Sequence, residues 1–87
     1  MYDSQLRKPP EGVTLGEFST LVFEVMARHT SFPWAILSAQ CRRLELDPAN
    51  LDRSTMEPLV AALSSAVGQF TTPENELECR TALRALF

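Results

Sequence analysis

The chain has 87 residues, with 8 Lys and Arg against 11 Asp and Glu, a net charge of −3 and a pI near 5.0. A chain of this length holds one domain with a thin core, and its acidic balance argues against nucleic acid, which is bound by a basic face. No apolar run is long enough to cross a bilayer, and the opening MYDSQLRKPPEG lacks the apolar stretch of a signal peptide, so the expected setting is the cytoplasm, with no membrane partner.

Residues 1–13 read as an N-terminal arm. Most are polar or helix-breaking, and the pair Pro9-Pro10 holds the residues before each proline extended. Tyr2 and Leu6 are its sizeable apolar groups besides Met1, so the arm is either a loose terminus or a segment that docks through those two side chains. Residues 14–87 form the single helical domain.

The first helix is expected over 15–29. Leu15, Phe18, Leu21, Val22, Val25, Met26 and His29 share one face at the helical period, and Thr14 with Glu17 reads as a capping box. The other side carries a second strip, Gly16, Ser19, Phe23, Ala27 and Thr30, small except for the phenylalanine. A surface helix needs one apolar stripe. The second strip therefore predicts a second neighbour: either helix 4 or the arm of the same chain, or another protein chain.

The second helix is expected over 32–45, with Ser31 as its cap and Pro33 in its first turn. Trp34, Leu37, Cys41 and Leu44 make its stripe, and Ile36 and Leu46 fall outside it. Asp47-Pro48 predicts one short helical turn near 48–51. The third helix starts at Met56 with Thr55 as cap and runs Leu59, Val60, Leu63, Val67 and Phe70 along one face until Thr71-Thr72-Pro73 stops it. The fourth has the clearest start, Thr72 as cap with Pro73 first and Glu74 in the opening turn; Cys79, Ala82, Leu83 and Leu86 form its face. No stretch alternates as a strand does. The expected fold is all-α: a compact four-helix bundle or orthogonal helical array with short connections and an N-terminal arm.

Chemistry-bearing motifs are scarce. Cys41 and Cys79 lie on apolar helix faces and read as free, buried thiols; with His29 as the single histidine, neither zinc spacing nor a nucleophile–base pair appears. The three glycines are isolated, so no loop cradles a phosphate. No cofactor is expected and no catalysis. A helix-turn-helix reading would make the third helix the recognition element, but it presents Met56, Glu57, Ser64, Ser65 and Gln69 and no cation after Arg53. The expected function is a non-catalytic protein-interaction module, an adaptor or regulator that binds a protein partner or a second copy of itself. Its expected contact residues are Gly16, Ser19, Phe23, Ala27 and Thr30, with Tyr2 and Leu6 of the arm. A small helix-turn-helix-like regulator is the alternative.

Overall fold

Four amphipathic segments joined by connections too short to let consecutive helices part must pack on their sequence neighbours. The computed structural model, which describes residue 9 and residues 12–86, shows that arrangement. Helix α1 spans Glu17–His29, α2 Pro33–Arg43, α3 Met56–Gly68 and α4 Pro73–Arg84, with a 3-10 turn at Arg53–Thr55 leading into α3. Among the described residues there is no strand. Each helix packs on the next, and α4 returns to α1, so the contacts close a ring. Tyr2 and Leu6 lie outside the described residues.

The ring encloses Val22, Met26, Leu37, Cys41, Met56, Leu59, Leu63, Val67, Cys79 and Leu83, each fully buried. The buried side of α1 is turned from the expected one. Ser19 is buried with Val22, Val25 and Met26, while Leu21 is 41% exposed. At 100° per residue that is a rotation of roughly 35° toward the small strip.

The Thr14–Glu17 capping box does not form. Helix α1 starts at Glu17, with an extended Gly16 as cap and no side-chain bond to the cap. The reason is tertiary: the Gly16 amide donates to the Ala49 carbonyl at 2.8 Å. A Cβ on Gly16 would stand 3.3 Å from that same oxygen, so the approach favours glycine.

Helix α2 also departs from the expected face. Ile36 is buried and Leu44 is 37% exposed, the reverse of the periodic reading. The helix stops at Arg43, before Leu44 can complete the stripe. Leu46 N–H donates to the Cys41 carbonyl at 2.8 Å and Glu45 N–H to the Arg42 carbonyl at 3.2 Å, the paired bonds of a Schellman turn. Glu45 holds the left-handed position, φ 59°, which glycine usually takes. At the other end of α2 the cap position falls to Phe32, not Ser31, with no side-chain capping bond; the Thr30 hydroxyl accepts the Phe32 amide itself at 3.1 Å.

The expected helical turn over 48–51 is a hydrogen-bonded turn instead, held by Asp47. Its carboxylate accepts the Ala49 amide at 3.0 Å and the Asn50 side-chain amide at 2.7 Å. Thr55 holds the cap position of α3 as expected, but its hydroxyl donates to the Asp52 carbonyl rather than capping; Asp52 caps the 3-10 turn, accepting the Ser54 amide at 2.8 Å. Thr72 caps α4 as expected, accepting the Asn75 amide at 3.2 Å. Asn75 then clamps α4 to the end of α1. Its Nδ2 donates to the His29 carbonyl and to Thr71 Oγ1, leaving Oδ1 to accept from His29 Nδ1 at 2.8 Å.

Candidate contact surface

The small strip of α1 divides at Phe23. On its N-terminal side Ser19 is fully buried, and its Oγ accepts the Leu51 amide at 2.8 Å. With the Gly16–Ala49 bond, this seats residues 47–51 on the first turns of α1. The neighbour there is the α2–α3 connection rather than α4, so Gly16 and Ser19 are engaged within the chain. Phe23 is half-buried against the core. On the C-terminal side Ala27 is exposed and Thr30 half-exposed, and both line a hollow of about 350 Å³ with Phe32 and Phe70.

Those two phenylalanines are the feature that periodicity missed. The helical period places Phe70 on the buried stripe of α3. It is 68% exposed because α3 ends at Gly68 and the helical spacing no longer aims it inward. Phe32 is 41% exposed at the sharp joint between α1 and α2. From this pair a second hollow runs between α2 and α3, about 360 Å³, floored by Ala35, Ile36, Ala39 and Ala66 and edged by Gln40 and Gln69. It continues past Ala61, Ala62 and Ser65 to Arg43. The three hollows share residues end to end, making one groove with an aromatic head.

The groove's charges differ from those of the chain. Arg28 and Arg43 line it, and among the described residues no Asp or Glu does, in a chain with 11 carboxylates. Among the described residues the one ion pair lies elsewhere, Arg80–Glu76 at 3.7 Å. Arg80 also donates to the buried Ser64 Oγ at 3.2 Å. Ser64 and Met56, which a recognition helix would have to present, are both fully buried.

Chemistry elsewhere is muted. Burial pushes the Cys79 thiol up to about 11, and burial together with the negative charge of Asp47 does the same for Cys41, so both stay neutral at pH 7. Asp47 is held below the ordinary carboxylate range by the Asn50 side chain and the Ala49 amide, and Asp52 by the Ser54 hydroxyl and amide. Both are turn-forming groups. Among the described residues no three His, Cys, Asp or Glu side chains gather as metal ligands, and no helix is long and apolar enough to cross a membrane. Compared with protein-family models, curated proteins and solved structures, the chain matches none.

Proposed function

We propose that this protein is a non-catalytic, cytoplasmic protein-interaction module of the adaptor or regulatory kind, and that its contact face is the groove between α2 and α3 headed by Phe32 and Phe70. The observation that carries this reading is the exposed aromatic pair beside the apolar hollow floored by Ala35, Ile36, Ala39 and Ala66. Large apolar side chains grouped on a small domain mark contact surfaces, and aromatic anchors supply most of the energy at such surfaces. A floor of alanines lets a partner's backbone come close, and the two glutamines supply a polar edge. Two free, neutral thiols suit a reducing compartment.

A photo-reactive phenylalanine analogue placed at position 70 tests the reading in cells making the protein. The expected result is a discrete protein adduct, absent when the analogue replaces exposed Glu24 on α1. Labelling of nucleic acid would instead support the regulator alternative. No specific adduct would remove the contact reading.

A further inference from the structure

We infer that the groove receives the outer face of α4 from a second copy of this chain, a proposal that rests on the groove being the contact face. The argument is charge and apolar complementarity within one sequence. Residues 74, 77, 78 and 81 share one side of α4, and Glu74, Leu77, Glu78 and Thr81 are all exposed. Leu77, at 59%, is second in exposure to Phe70 among the large apolar side chains of the described residues. The face of α4 is thus one apolar knob flanked by two carboxylates. The groove is its complement: a hollow bordered by Arg28 and Arg43, with no carboxylate in its lining among the described residues.

Lengths agree. The 12 residues of α4 span about 18 Å, and α2 runs along the groove for 11 residues, about 16 Å. Continuity favours a two-fold pair. Phe70 stands three residues before Pro73, so the head of the groove adjoins the first turn of α4. One patch then holds both halves of the contact, and a two-fold axis makes that contact twice. Leu77 of each copy seats against Phe32 and Phe70 of the other, with Glu78 beside Arg28.

Sedimentation velocity over a range of concentrations tests this. The expected result is a dimer whose dissociation constant rises about thirtyfold or more with Phe70→Glu or Leu77→Glu, the effect of losing an anchor residue. Both positions are exposed, so helical circular dichroism should be unchanged. Arg28→Glu should weaken the dimer, and adding Glu78→Arg should recover much of the loss. A wild-type protein that stays monomeric up to about 1 mM, below any useful affinity, would overturn the proposal. So would a dimer indifferent to the position 77 change and to the charge exchange. If the protein is monomeric while position 70 still crosslinks to a different protein, the occupant is wrong and the contact face stands. If position 70 captures nothing as well, both fall.

Discussion

Two surfaces of this molecule look alike as sequence and differ as structure. The strip Gly16, Ser19, Phe23 on α1 and the groove Ala35, Ala39, Ala66, Phe70 between α2 and α3 are both small-residue tracks with a phenylalanine. The first is closed by residues 47–51, while the second stays bare among the described residues. The difference lies in what each track offers a passing backbone. Ser19 and the Gly16 amide present an acceptor and a donor at the spacing of Leu51 N–H and the Ala49 carbonyl, so a short connection docks with its polar groups satisfied. Alanines offer no such partner. A bare alanine track can be covered only by a surface that brings its own hydrogen bonds already made, as a helix does.

Leu63→Ala, beneath the bare track and fully buried, should have the largest effect, a loss of about 2–5 kcal/mol in denaturant unfolding. A loss near zero would mean that α3 is not the wall shared by groove and core. Thiol labelling sharpens the inside–outside contrast along α2. Cys41 is neutral and fully buried, whereas exposed Ala39 lines the groove. An Ala39→Cys thiol should react much faster than Cys41 without denaturant, since Cys41 is fully buried and burial raises its thiol pKa, whereas position 39 is exposed. Equal rates would show that the helix has no sealed side.

Ser19→Ala strips the acceptor from a buried amide and should cost about 1–3 kcal/mol, with faster hydrogen exchange at Leu51. Unchanged exchange would mean that the connection is not held to α1 by that bond. Glu45→Gly should raise stability by up to about 1 kcal/mol, because the left-handed position penalises a side chain. A loss would show the Glu45 side chain making a contact worth more than that strain. Phe70→Ser should change unfolding stability by less than about 0.5 kcal/mol, as surface substitutions do, while altering association. A loss comparable to that of Leu63→Ala would erase the distinction between the two surfaces.

The sequence announced the four helices because their signals are local. Thr72-Pro73 caps α4 through a bond spanning three residues, and that reading holds. The misplaced details arise where a distant group competes. The Thr14–Glu17 box loses to the Ala49 carbonyl, 33 positions from Gly16, and no periodicity in 14–30 contains that information. Leu44 and Phe70 fall on the inward period only if that period is extended past the point where each helix stops. Gly68 and Gln69 marked the end of α3, and taking them as the stop would have left Phe70 outside it. The groove itself joins residues from two helices and two connections, so it could not be read from any single helix face.

The closed ring of helix contacts bears on how the molecule comes apart. With α4 packed on α1 as well as α3, no helix is a terminal layer that can peel away and leave the other three intact. The Asn75 clamp ties the end of α1 to the first turn of α4, so opening at either place removes support from the other. Slowly exchanging amides in all four helices should therefore share a single opening free energy, equal to that of global unfolding, with no separate subglobal unit. Calorimetric and van't Hoff enthalpies should then coincide for this small domain.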